Sequence, residues 1–418
     1  MPSARRAGNA SSAEVGQTTA AQIRPLDGLR VIDAGTTIAG PFAGTLLADY
    51  GADVLCIEKP GEGDPVRRWP PYKDEHSLWW KVSARNKRLI TLDLRKPAGR
   101  DLFLKLVAIS DAVIENYRPG TFTKWGLSYG DLAAARPGIV VVRLTGYGQS
   151  GPYAARPGYG TIAEAMSGIP SFTGFSDRPP TMTAYPFADM TAGLFAVIGL
   201  LGAIYSRDRG REGCSEVDVS LYESCFRLTE SQVIGFDQAG IVKERTGNRI
   251  AEDSPRNTYE TSDGSWIAIS ASSDQTFRRL ADAIGQPTLS DDARFASNLA
   301  RIENNDALDQ IIGGWIRARS ADEVMRTFEA HEVVAGKIYT VKDIFADAHY
   351  AERENIVAVE DADLGEVKMA SVTPRFSGAR TDIRWAGGSL GQHNQEVYGD
   401  LLGLSKQELR ELALEGVI

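Results

Sequence analysis

At 418 residues, with 43% hydrophobic and 24% charged content, the chain has the make-up of a soluble globular protein with ample core for several domains. A net charge of −9 argues against nucleic acid as a partner, although it leaves room for local basic pockets. The four histidines (His76, His331, His349 and His393) are scattered, which excludes a histidine-rich metal centre. The three cysteines, Cys56, Cys214 and Cys225, show neither metal-ligand spacing nor a paired framework, and so fit a reducing, cytoplasmic compartment.

Residues 1–25 are rich in Ala, Ser, Gln and Gly without an apolar core, which predicts disorder and no secretory leader. A strand is predicted from Gly28 to Asp33, and Gly40-Pro41 opens a helix that stops at Gly51. The strand Asp53–Glu58 completes a βαβ unit, the mark of a parallel, doubly wound sheet. The pattern recurs in a strand over Leu89–Leu94, a helix over Ala98–Ser110 and a strand over Asp111–Glu115. A short helix over Tyr129–Ala134 and a strand over Gly138–Leu144 follow.

Further on, Met190–Tyr205 carries no charge and reads as a helix buried on all sides, too short and glycine-rich to span a membrane. A strand over Glu216–Leu221 and a helix over Tyr222–Gln238 precede the polar linker Gly240–Asn257. Asp263-Gly264 marks a hairpin, and helices are predicted over Gln275–Gly285, Asn305–Arg319 and Ala321–His331. Strands Ile356–Glu360 and Val367–Thr373 would close this smaller α+β unit, and the leucine-rich tail from Gly391 is helical. The divisions are a large Rossmann-like domain (26–222), a linker (223–257), a small α+β domain (258–374) and a C-terminal segment returning to the large domain (375–418).

Asp189 stands at the head of the apolar helix, where unpaired N–H groups and the helix dipole favour its ionised form. Two roles follow from that position, a helix N-cap or a carboxylate nucleophile in an apolar setting. The run Gly146-Tyr147-Gly148-Gln149-Ser150-Gly151 fits a dinucleotide fingerprint only in its glycines, because Pro152-Tyr153 follows where a helix should open. Between Lys81 and Arg100, seven basic residues face the single acid Asp93. With Lys59, Arg67, Arg68, Arg118 and Lys124 they form a basic collar that suits either a phosphate-bearing ligand at the strand ends or a solvated face.

These stretches, together with Pro25–Asp33, Ile57–Gly61, Glu115–Gly120, Val217–Leu221 and Gly391–Asn394, make the chain resemble the class III CoA-transferases, a family that also includes α-methylacyl-CoA racemase. The resemblance implies a Rossmann-like large domain, a small domain on long linkers and two chains interlocked as a homodimer. It places the catalytic aspartate on Asp189, and the CoA contacts on Ile38, Lys59, Leu92, Arg95, Asn116, Tyr117, Lys124 and Tyr147. It implies no permanently bound cofactor and no metal; coenzyme A enters as acyl-CoA substrate, a small carboxylic acid is the other partner, and neither nucleic acid nor membrane is engaged.

Two departures narrow the reaction. Formyl-CoA transferases carry Gln where this chain has Ile38, and a glycine-rich active-site loop absent here, which argues against formyl-CoA and oxalate. Racemases of the family carry a Gly-His-Asp motif where this chain reads Gly158-Tyr159-Gly160, so one of the two bases for proton exchange is missing. The expected activity is transfer of CoA from an acyl-CoA to a carboxylate through anhydride and thioester forms of Asp189, with racemase or a non-catalytic CoA-binding protein as the alternatives. Arg245, Arg249 and Arg256 point either to a small dicarboxylic acid with a succinyl-CoA-type donor or to plain solvated linker charge.

Overall fold

A computed structural model of the chain describes residues 23–211 and 213–418, so most of the segment expected to be disordered lies outside the described residues. The large unit is built on β1 (Arg30–Asp33), α1 (Ala39–Asp49), β2 (Asp53–Glu58), β3 (Arg88–Thr91), α2 (Pro97–Ala108), β4 (Ala112–Glu115) and β5 (Val140–Thr145). It continues through α3 (Gly160–Met166), α4 (Phe187–Arg207), β6 (Glu216–Ser220) and α5 (Leu221–Phe226). Its six strands lie in the order β3-β2-β1-β4-β5-β6, and every pairing is parallel. The chain runs outward from β1 to β3 and then crosses to β4, so a crevice opens at the carboxyl ends of β1 and β4, where this fold class binds ligands.

Alternate strand residues feed two cores, as a sheet covered on both faces requires. Val31, Ile114 and Val142 pack under α1 and α4, while Ile32, Val113 and Val141 face α2 and the C-terminal tail. A π-helical turn (Gln395–Leu401) and a last helix (Lys406–Leu414) form that tail. The tail also completes the open edge of β3. The Leu89 N–H donates to His393 Nδ1 (2.9 Å), the Thr91 N–H to Asn394 Oδ1 (2.9 Å), and the Tyr398 hydroxyl to the Thr91 carbonyl (2.9 Å). Pairing these groups removes a sheet edge that would otherwise recruit other strands.

Several sequence expectations change here. The helix α4 is buried along one side only, through Ala188, Ala192, Ala196, Leu200 and Ala203, while Leu194, Ile198 and Tyr205 are exposed. It has a mean hydropathy of 1.9 and is the helix among the described residues that is long and apolar enough to cross a membrane, yet its alanine face is committed to the sheet and to α1. The hairpin Ile356–Asp361 and Gly365–Ala370 does not close the smaller unit; among the described residues its strands pair only with each other. It docks on the large unit through Lys81, whose buried ammonium reaches Asp361 (2.8 Å) and Asp363 (2.6 Å).

The smaller sheet takes its third strand from Ala335–Lys337, which pairs with Trp266–Ser270 on the edge opposite Arg256–Glu260. Ala-Gly-Lys has no β signal of its own; the pairing is imposed by the neighbouring strand. Lastly, α3 occupies a stretch whose approach reads as loop.

Candidate active site

The loop between β1 and α1 is fixed from below. Lys87 and Asp33, both with side chains 0% exposed, form a 2.9 Å ion pair. The Lys87 ammonium also donates to the Pro41 carbonyl (2.6 Å), and Asp33 accepts the Gly35 N–H (3.1 Å). Gly44 leaves the room this requires, since a Cβ there would stand 2.6 Å from Asp33 Oδ2.

Above the pair, both ends of the Asn116 amide grip Thr36, accepting its N–H (2.8 Å) and donating to its carbonyl (2.7 Å). Thr37 is left-handed at φ 70°, costly for a β-branched residue, and its N–H is held by Asp64 (2.9 Å). Asp64 is held in turn, its own N–H donating to Glu58 (2.9 Å), which also takes a forked pair of bonds from Arg67 (2.6 and 2.7 Å). The strained turn is therefore imposed by its surroundings, as ligand-contacting loops often are.

Beside this turn lies a cavity of about 420 Å³, lined by Ile38, Asn116, Tyr117, Gly146, Tyr159 and Asp189 among others. Asp189 is the third residue of α4, inside its first turn. The cap position belongs to Pro186, which offers no side-chain bond. The N-cap role is thus corrected, and the carboxylate is left facing the cavity. Burial pushes its pKa up to about 6, against the opposing pull of its own backbone N–H. The dipole argument for easy ionisation is outweighed by desolvation, although the group is still mostly charged at neutral pH.

The space for this carboxylate is made by Gly160, where a Cβ would stand 1.9 Å from Asp189 Oδ2. Gly146 and Gly158 likewise meet backbone to backbone, since a Cβ on Gly146 would lie 2.8 Å from the Gly158 Cα. On α3, buried Glu164 accepts the Thr183 N–H (2.8 Å) and hydroxyl (2.9 Å), tying that helix to the segment leading into α4.

A second cleft of about 250 Å³ adjoins the first and shares Thr36, Pro65 and Tyr117 with it. Lys59, Leu92 and Arg95 line this cleft, while Ile38 and Asn116 line the Asp189 cavity and Tyr117 walls both. Burial raises the Tyr117 hydroxyl well above the ordinary tyrosine range, so it stays protonated. Two sequence candidates are not brought to either wall. Lys124 is exposed on the short helix Thr121–Lys124, and Tyr147 packs behind Gly158, its ring edge 3.1 Å from where a Cβ would be.

Much of the basic collar proves structural. Lys81, Arg85, Lys87 and Arg88 are spent on Asp361, Asp49, Asp33 and Asp53. Nor do the linker arginines reach the cavity: Arg249 pairs with Asp306 and Asp309, Arg256 donates to the Asn248 carbonyl (3.0 Å), and Arg245 to the Phe175 carbonyl (3.2 Å). The arginines that do line the cavity are Arg118 and Arg156. Sequence reasoning passed over Gly160, Asp64, Glu164 and Arg156; the paired glycines of Gly158-Tyr159-Gly160 were the available signal for the first.

The model of CoA-transferase family III matches residues 26–394. The chain is 45% identical over 396 residues to the succinyl-CoA–D-citramalate CoA-transferase of Chloroflexus aurantiacus, covering 94% of this chain and 98% of that protein. It is 31% identical to the mouse succinyl-CoA:glutarate CoA-transferase, covering 96% of this chain and 92% of that one. Among solved structures, a CaiB/BaiF family protein from Brucella suis superposes with a TM-score of 0.81 at 33% identity, covering 91% of this chain and all (100%) of that one. With these likenesses along nearly its whole length, the chain belongs to CoA-transferase family III and is a CoA-transferase.

Proposed function

We propose that the protein moves CoA from succinyl-CoA to a small carboxylic acid, with Asp189 as the covalent carrier. The observation that carries this reading is the Asp189 carboxylate, half-buried and without an ion-pair partner among the described residues, facing a cavity at the carboxyl ends of the strands. The names of the relatives support the donor: the citramalate and glutarate enzymes and a Chloroflexus aurantiacus L-malate enzyme all carry succinyl-CoA in theirs.

In the first step an Asp189 oxygen attacks the thioester carbonyl carbon, and collapse of the oxyanion breaks the C–S bond, leaving a mixed anhydride and CoA thiolate. The thiolate then attacks the aspartyl carbonyl and expels the donor acid as its carboxylate, which leaves an aspartyl-CoA thioester. The acceptor carboxylate repeats both steps in reverse and restores Asp189. No proton is gained or lost overall, so no general base is required, in keeping with a cavity that has no histidine in its lining. Each oxyanion needs fixed donors; the N–H groups at the start of α1, where Ile38 supplies no side-chain cap, and those near Gly146 are the candidates.

CoA would lie across the adjoining cleft with its phosphates near Lys59 and Arg95, and its pantetheine arm passing Leu92, Tyr117 and Ile38. Lys59 and Arg95 are exposed and, among the described residues, paired only with the neighbouring Glu62 and Asp93, partners a phosphate can displace. The working unit would be a homodimer of interlocked chains.

Incubation with succinyl-CoA and no acceptor tests the reading. A peptide containing Asp189 should gain the mass of a CoA thioester, and Asp189→Asn should lose both the adduct and transfer to every acid. Transfer that survives in Asp189→Asn would sink it.

A further inference from the structure

We propose that Arg156 reads the distal carboxylate of dicarboxylic acyl groups brought to Asp189, an inference that rests on Asp189 being the acyl carrier. Asp189 is the acidic residue in the lining of its cavity, whereas Arg118 and Arg156 are both basic. Once Asp189 is neutralised as an anhydride or thioester, both cations are left without a counter-charge in the cavity. A substrate bearing a second carboxylate restores the balance; a monocarboxylic acid does not.

The two arginines are placed differently. Arg118 follows Tyr117, the wall shared with the cleft of Lys59 and Arg95, and so lies on the side assigned to CoA. Arg156 belongs to the loop that carries Gly158 and Gly160 over Asp189. Gly160 lies four positions beyond Arg156, so their Cα atoms are at most about 14 Å apart. A long arginine side chain and a four-carbon diacid together span such a gap.

The Arg156 guanidinium is also held ready for a ligand. It stacks 3.7 Å over the Tyr153 ring, and the Arg156 N–H donates to the Tyr153 carbonyl (2.8 Å). Tyr153 itself packs edge-on against Tyr147, the ring behind Gly158. Stacking fixes the plane while leaving the N–H fork free, and among the described residues no carboxylate occupies it. The linker arginines differ in that their N–H groups are already engaged by the chain.

The test is the ratio of rates at which succinyl-CoA and butyryl-CoA, equal in carbon number, load Asp189, read by release of the donor acid without acceptor. Wild type should favour succinyl-CoA. Arg156→Met should lower the ratio about 10- to 100-fold, the worth of hydrogen bonds to a charged group, and Arg156→Lys should recover part of it. Arg118→Met should raise KM for both thioesters and leave the ratio in place. An unchanged ratio in Arg156→Met, an equal loss on both substrates, or no preference in wild type would each overturn the assignment. Absence of loading by any donor in wild type would instead remove the carrier role of Asp189.

Discussion

The raised pKa of Asp189 records a conflict between folding and chemistry. Its pKa near 6 means the folded chain binds this proton more tightly than the unfolded chain, whose aspartate has the ordinary value of 3.8. The sign follows from linkage: the favourable contribution is complete below the unfolded value and is lost as pH rises through about 6. At pH 8 the ionised, half-buried carboxylate therefore costs up to about 3 kcal/mol of stability, taking roughly 1.4 kcal/mol per pKa unit. Asp189→Asn should be more stable than wild type by up to that amount at pH 8, and the gap should close as pH falls below about 4. Urea denaturation across this range checks it; a gap independent of pH would show that the carboxylate is not desolvated. The same comparison says why the sequence misjudged the residue. The helix terminus and the apolar run are both visible in the chain, but how much water remains around one carboxylate depends on α3, which arrives from elsewhere.

At the scale of elements, the parallel sheet was legible because strands buried on both faces read as continuous apolar runs, such as Val140-Val141-Val142. The carboxylate proposed here as the carrier was marked out by the motifs that surround it. What escaped was whatever depends on partners distant in the chain: the Ala335–Lys337 strand, the separate hairpin, and most of the basic collar, whose ammonium and guanidinium groups find acids up to 308 positions away, as Arg88 finds Glu396. Side-chain charge can be read from sequence; whether a partner neutralises it cannot.

Helix α3 is the sharpest case, for its first residue clears the space that Asp189 fills. Gly160→Ala should therefore lower kcat/KM for transfer by about 100-fold or more, the scale expected when a reacting group is displaced by an ångström. Gly314→Ala is the control, since it lies on the helix Asn305–Arg317 of the smaller unit with nothing within 4 Å of an added Cβ. It should leave transfer intact and gain up to about 1 kcal/mol of stability from helix propensity. Equal kinetics for the two variants would show that the Gly160 contact does not constrain the carboxylate.

At the scale of the whole molecule, the unfinished surface is the outer face of α4. Ile198 is 65% exposed, with Leu194 and Tyr205 beside it on the same helix. Val233, Ile234 and Phe236 are exposed on the helix Ser231–Ala239, and a groove of about 620 Å³ runs between Ile198, Val217, Phe226 and Val233. Scattered apolar residues on a surface need no explanation, but a contiguous apolar groove rimmed by Glu223, Arg227 and Glu230 is the kind of surface that a partner covers. A second copy of the chain is the occupant we propose, because the segments leading to and from the smaller unit would let two copies thread one another. A dimer joined only face to face dissociates on dilution by mass action, whereas threaded chains separate only when one of them opens. Sedimentation at nanomolar concentration should therefore still show a dimer. Introducing Asp at both Ile198 and Phe236 should shift the product to aggregates or misfolded chains rather than to a well-behaved active monomer. A fully active monomer from that double variant would rule out threading, and with it the idea that the apolar face of α4 is completed by a second chain.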